Sequence, residues 1–342
     1  MGQWKNSELC TIRRNPTIEV WLFTKLLSSH QLELFHCSST YRSLRVGALS
    51  VEPSTRSPLF FNIPSRHKEA AMTGSVDCVT DLSQVSPVLL RKYIDGCHML
   101  HQHDLVDAYG HLSVRLSNTT FLMSRYLAPA LVASPEDLVI YNIEDAQPVK
   151  PDAPRGFSER FIHSEVYKAY PAVQSVVHSH SLEVVPFSIS TVPLSACFHM
   201  AGFLGTAVPV WDAASVYKDH PSDNQDMLVR NIKLASSLAK ALGENGQVKH
   251  PVVLMRGHGM VVTSESLEMC IFNCIYTQQN ARVQRSAMGL GGEVKYFTQR
   301  EAHDTGTTTG MGAVKPWPLW EQEVANETMY RNQISQPGSG RD

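Results

Sequence analysis

From about residue 84 the chain alternates between two hydrophobic periods. Residues 86–105, SPVLLRKYIDGCHMLHQHDL, carry apolar side chains three and four apart and predict a helix. GHLSVRL (110–116) and TFLMSR (120–125) alternate as strands do, with a turn at SNT between them. DLVIYNIEDAQPV (137–149) predicts a strand and a polar turn. SERFIHSEVYKAY (158–170) predicts a helix, with Ser158 as its N-cap and Pro171 just past its end. VQSVVHSHS (173–181) predicts a strand, SLEVVPFSIS (181–190) leads to a short helix, and AVPVWD (207–212) predicts a strand. DMLVRNIKLASSLAKALG (226–243) predicts one amphipathic helix stopped by Gly243. HPVVLMRGHGMVVT (250–263) predicts strand, glycine turn, strand, and residues 266–292 a long helix ending at paired glycines.

Strands and helices interleave without a linker or a repeat, which favours one α/β domain over 84–297. Residues 298–342 follow as a C-terminal arm, containing KPWPLWEQEV, and a frayed tail, QISQPGSGRD. Residues 1–83 have a different texture, rich in Ser and Arg, and are expected to be a weakly structured extension. Their arginines hint at a transit peptide, but Glu8, Glu19, Glu33 and Glu52 argue against one, and Met72 is a natural alternative start.

Composition narrows the function classes. The 342 residues are 43% hydrophobic and 18% charged, ordinary for a soluble enzyme, and the net charge of -2 supplies no basic field for nucleic acid. No apolar run is long enough for a membrane span. Seven cysteines without a CxxC pair predict reduced thiols and a cytoplasmic protein rather than a disulfide framework.

The chemistry concentrates in a few residues. His178 and His180 end a strand pattern, where positions two apart share a face and two imidazoles can chelate one ion. HxH is a weak motif, and the HQH at 101–103 lies on a helix, where the same spacing diverges. A third histidine, His258, lies where a strand meets a glycine turn, and three neutral imidazoles leave an open position on Zn²⁺. Each histidine also has a plain structural alternative as a hydrogen-bonded core residue. Glu159 stands at the start of a helix that feeds the strand bearing the pair. It either favours the helix dipole or approaches the same ion as ligand and base. His163, one turn on, either supports a ligand or faces the core.

The order GHLSVR, GFSE with a helix, VVHSHS and RGHGMVV resembles the class II aldolase/adducin family, over about residues 85–290. As in the family's aldolase pattern, the first metal histidine lies nineteen positions after Glu159. The resemblance implies a three-layer αβα fold with a central, largely antiparallel mixed sheet, and a homotetramer with sites at subunit interfaces. It implies Zn²⁺, or another divalent ion such as Mn²⁺ or Co²⁺, held by His178, His180 and His258, with Glu159 as acid/base. The family's catalytic Tyr lies nineteen residues past the second metal histidine, and the same distance here reaches His199, which can serve as a proton donor.

The departures point away from a sugar phosphate. The family's Gly-Asn turn becomes Gly110-His111, its Ser-Ser-Glu becomes Phe157-Ser158-Glu159, and its Thr-Gly turn is absent from LMSRYLAPALV. Small donors able to meet a dianion are therefore lost. His111, Ser158 and Arg125 become candidate substrate contacts; Arg115 and Arg125 can reach a carboxylate or lie on the surface. The expected reaction is metal-dependent C–C cleavage, retro-aldol or decarboxylation, of a non-phosphorylated hydroxy- or oxo-acid, aromatic acids included, through a metal-stabilised enolate. Alternatives are a non-catalytic adducin-like scaffold, which has no need of three histidines with Glu159, and a sugar-phosphate epimerase, which the same departures disfavour.

Overall fold

The computed structural model describes residues 78–219 and 221–334. Expectations for residues 1–77 and for the tail after 334 lie outside them. In chain order the elements are α1 (Pro87–Gln102), β1 (His111–Arg115), β2 (Thr120–Ser124), β3 (Leu138–Asn142), α2 (Arg160–Ala169) and β4 (Ser175–Ser179). There follow α3 (Val185–Ser188), β5 (Val210–Trp211), α4 (Ala214–Tyr217), α5 (Ile232–Lys240), and a small hairpin, β6 (Gly243–Glu244) and β7 (Gln247–Val248). The last are β8 (Val252–Met255), β9 (Gly259–Ser264), α6 (Leu267–Gly289), α7 (Gln299–Gly310) and α8 (Trp317–Asn326).

Seven strands form one sheet in the order β3-β2-β1-β4-β9-β8-β5. Every pairing is antiparallel except β5 with β8. Alternate side chains along each strand go to opposite faces, so each face has its own core. Leu112, Val177 and Val262 pack with α1 and α6 on one side. Val176 and Val261 pack with Ile162 and Val166 of α2 and Leu234 and Leu238 of α5 on the other. The expected three-layer αβα arrangement with a largely antiparallel mixed sheet is what these residues build.

Four stretches differ from the sequence expectation. The 226–243 helix starts only at Ile232, because Asn231 is extended and its side chain caps the Leu234 N–H. Met227, at a φ of 68°, lies in the left-handed region, so DMLVR is a loop. The N-cap of α2 is Glu159, not Ser158, and its carboxylate makes no capping bond. In the expected arm, α7 begins with a Thr298–Glu301 capping box, and Trp317, Trp320 and Val324 of α8 are buried in the same core as α1. Val79 is buried in that core too, ahead of residue 84.

Candidate metal centre

The register of β1, β4 and β9 assembles the site. His178 of β4 pairs with His111 of β1 on one side and Val261 of β9 on the other. Ring 178 shares the face of Val176, beneath α2. His180 lies just past the end of β4, and His258 in the tight turn between β8 and β9. Gly259 makes that approach possible, since a Cβ there would sit 2.0 Å from the Ser179 carbonyl oxygen. Gly110, at a φ of 83°, turns the chain into β1 where a Cβ would meet Val106 and the His178 carbonyl.

Three imidazole nitrogens converge. His180 Nε2 lies 3.0 Å from His178 Nε2 and 3.1 Å from His258 Nε2. Glu159 Oε2 is 3.6 Å from His178 Nε2 and 3.8 Å from His258 Nε2. His178 Nδ1 donates to the Met260 carbonyl at 3.1 Å, so its hydrogen is on Nδ1 and the Nε2 lone pair faces the cluster. One hydrogen on His180 Nε2 cannot serve both neighbours, and His258 Nδ1 is a buried polar atom without a partner. A cation satisfies all three lone pairs. Two Zn–N bonds of about 2.05 Å at a tetrahedral angle place the nitrogens roughly 3.3 Å apart, close to the spacings here. The donor set therefore fits one divalent ion, and all four ligand atoms lie within 4.8 Å of one another.

Electrostatics agree with that donor set. Burial, then the neighbouring histidines, pushes His178 well below the usual histidine range. Burial and His258 push His180 down to about 4, against the pull of Asp107. These rings are neutral at physiological pH, the form that binds metal. Burial raises the Glu159 carboxyl, opposed by His258, the Val229 N–H and Arg230. Its Oε1 accepts the Val229 N–H at 2.9 Å, which leaves Oε2 facing the histidines.

The chain belongs to the class II aldolase and adducin family. Residues 91–285 match the family's Class II Aldolase and Adducin N-terminal domain. The chain is 42% identical over 258 residues to decarboxylase tropJ of Talaromyces stipitatus, covering 71% of this chain and 96% of that protein. It is 25% identical to the 3,4-dihydroxyphthalate decarboxylase of Arthrobacter keyseri, covering 67% and 90% of the two chains. Among solved structures, an aldolase II superfamily protein from Pseudomonas syringae superposes with a TM-score of 0.58 at 17% identity, covering 72% and 97%. The L-fuculose 1-phosphate aldolase from Glaciozyma antarctica gives 0.56 at 20% identity, covering 75% and 96%. With decarboxylase relatives at 42% and 25% identity within this family, the chain is an enzyme, a carbon–carbon lyase.

The other sequence candidates fall in different places. His111 is buried beside the cluster, its ring 5.1 Å from that of His178. His163 bonds His111 and Ser113. His199 is exposed on a short 3-10 helix, its ring against Phe198. Ser158 is exposed and lines a separate hollow with Tyr141, Arg155 and Arg160. Arg125 is tied to Asp137, at 3.0 Å through Nε and 2.9 Å through a terminal nitrogen. Arg115 binds the Val173, Tyr167 and Tyr170 carbonyls and so closes the C-terminal end of α2. Sequence reading missed the Val229 N–H and the Met260 carbonyl, because both are backbone groups that any residue supplies. It also missed Ser113 and Tyr167. Their signal was present: Ser113 is two residues from His111 on a strand, and Tyr167 four from His163 on a helix.

Proposed function

We propose that His178, His180 and His258 hold one divalent transition metal, and that the chain decarboxylates a non-phosphorylated hydroxylated aromatic acid. When bound, the ion acts as a Lewis acid for the electron pair left when the C–C bond breaks. Zn²⁺ suits three imidazoles best, and Mn²⁺ or Co²⁺ are the other candidates. The carrying observation is the convergence of three imidazole lone pairs with one free carboxylate oxygen in a buried site.

Glu159 is the acid/base of this reading. The Val229 N–H fixes one of its oxygens, so the other returns to one place each turnover. As CO₂ leaves, the bonding pair stays on the substrate carbon, and Glu159 Oε2 is the group placed to give that carbon a proton. Decarboxylation is preferred over retro-aldol cleavage because the 42%-identical relative is named a decarboxylase. A phosphate is disfavoured by Phe157. Its buried ring packs on His111 at 4.7 Å and fills space beside the cluster that a dianion would need.

His199 is assigned a proton-donor role in a neighbouring subunit's site. Its exposure on this chain and the interface sites that the family resemblance implies both support that role. A homotetramer follows from the same resemblance.

The test is metal content followed by turnover. The full chain, purified and loaded with Zn²⁺, Mn²⁺ or Co²⁺, is supplied with 3,4-dihydroxyphthalate, related hydroxylated aromatic acids and fuculose 1-phosphate. About one metal per chain with CO₂ release from an aromatic acid is the expected result. No metal uptake, or cleavage of the sugar phosphate alone, overturns the proposal.

A further inference from the structure

A chain of hydrogen bonds runs from the core to the edge of the metal cluster. Tyr167 Oη lies 2.7 Å from Ser113 Oγ, which lies 2.6 Å from His163 Nδ1. His163 Nε2 lies 2.7 Å from His111 Nδ1. All four residues are at most 2% exposed. His111 Nε2 has no hydrogen-bond partner among the described residues. Its ring lies 5.1 Å from that of His178.

The Tyr167 phenol has one hydrogen, and Ser113 Oγ is the only acceptor it bonds among the described residues. The other group reaching the phenol is the backbone N–H of Val176, itself a donor. Tyr167 therefore donates to Ser113, and Ser113 has one hydrogen left, which goes to His163 Nδ1. The reverse direction would strand the phenol hydrogen in a dry core, the costlier arrangement. His163 Nδ1 is then an acceptor, so its hydrogen is on Nε2 and is donated to His111 Nδ1. That leaves the His111 hydrogen on Nε2. The result does not depend on protonation state, since an imidazolium also carries a hydrogen there.

We infer that Tyr167 and Ser113, acting through His163, lock His111 in its Nε2–H form, so that it presents a fixed hydrogen-bond donor to a substrate oxygen beside the metal site. His111 is then a substrate contact and not a fourth imidazole ligand, because the atom it turns to the site carries a hydrogen in place of a lone pair. Ser113, His163 and Tyr167 are positioning residues. The oxygen it meets is a carboxylate or phenolate oxygen of the hydroxy-acid, and this part rests on the function proposed above.

The experiment uses the full chain loaded with Zn²⁺ and labelled with ¹⁵N-histidine. Two-bond proton–nitrogen correlation spectra report each ring's tautomer, and His111→Asn identifies the His111 signals. The expected spectrum shows His111 as Nε2–H. Tyr167→Phe, which frees Ser113 to accept from His163, and Ser113→Ala, which removes the donor, should each mix or invert that form, and an unchanged Nε2–H form in both variants overturns the lock. An Nδ1–H His111 in the wild type overturns the inference whatever the substrate. Calorimetry with 2,3-dihydroxybenzoate then reads the donor itself. His111→Phe should weaken binding about tenfold, the usual scale for one lost hydrogen bond to a charged oxygen, with metal content unchanged. His111→Asn, which keeps an N–H, should recover part of it. Unchanged affinity in His111→Phe overturns the donor role. Wild type that shows the Nε2–H form but binds no hydroxylated acid overturns the proposed function alone.

Discussion

Glu159 Oε1 accepts the backbone N–H of Val229, seventy positions further along the chain, at 2.9 Å. That bond ties the loop ahead of α5 to the start of α2. Glu159→Gln keeps an oxygen for Val229 but can no longer exchange a proton. Turnover should fall roughly 10²- to 10⁴-fold, the usual contribution of a general acid or base. Metal content, read by plasma mass spectrometry, should fall far less. Wild-type turnover in this variant would remove Glu159 from the chemistry.

His178 is the deepest ligand, fully buried and held by the Met260 carbonyl. His178→Ala should lose most bound metal and all measurable turnover. A chelator should lower the Tm of the wild type, because binding to the folded state adds stability, and should leave the variant's Tm almost unchanged. Full metal retention in His178→Ala would defeat the ligand assignment.

His199 does not join the cluster within its own chain. If it serves a neighbour's site, His199→Phe keeps its metal and loses rate. Mixing it with Glu159→Gln should then restore part of the activity, since some sites in the mixed assemblies combine an intact Glu159 with an intact His199. Strictly additive activity from the two inactive proteins would place His199 outside the mechanism.

Gly259→Ala tests the geometry that brings β9 against β4. The added Cβ would meet the Ser179 carbonyl oxygen at 2.0 Å and the His180 Cα at 3.1 Å, both backbone atoms that cannot move aside without breaking the strand pairing. The expected cost is about 1–3 kcal/mol in urea unfolding of the metal-free protein, typical of an overpacked core position. A loss under about 0.5 kcal/mol would mean that the turn tolerates a wider approach.

The residues that repeat were the ones legible in sequence. Val176, Val177 and His178 announce a strand, and a second histidine two positions on announces a shared face. Glu159 was legible because its helix runs straight into that strand. What stayed hidden depends on contacts distant in sequence. The apolar spacing of 226–243 fits a helix, and only the packing of Val229 and the cap at Asn231 show that its first turns are not one. Arg125 and Arg115 have the chemistry to hold a carboxylate, but Asp137 and the carbonyls ending α2 hold them instead. Ser158 has the chemistry of a cap, but α2 starts one residue later, and the Glu159 carboxylate turns to a backbone N–H seventy residues away instead.

His98 makes the fold sensitive to acid away from the metal cluster. It is buried on α1, donates Nε2–H to the Val132 carbonyl at 2.8 Å, and stacks on Tyr330 with ring centres 4.9 Å apart. Burial pushes its pKa down to about 4, with the charge of His101 adding and the Val132 carbonyl opposing. In the unfolded chain the ring titrates near 6.5. Between these values the unfolded state binds the extra proton, so stability is fully present above about pH 6.5 and is lost as pH falls toward 4. Its full contribution is on the order of 3 kcal/mol. His98→Gln keeps an N–H for Val132 and does not titrate. In urea unfolding of the metal-free protein from pH 7 to 4.5, the wild type should lose stability more steeply than the variant. Parallel slopes would show that His98 takes up its proton as readily folded as unfolded.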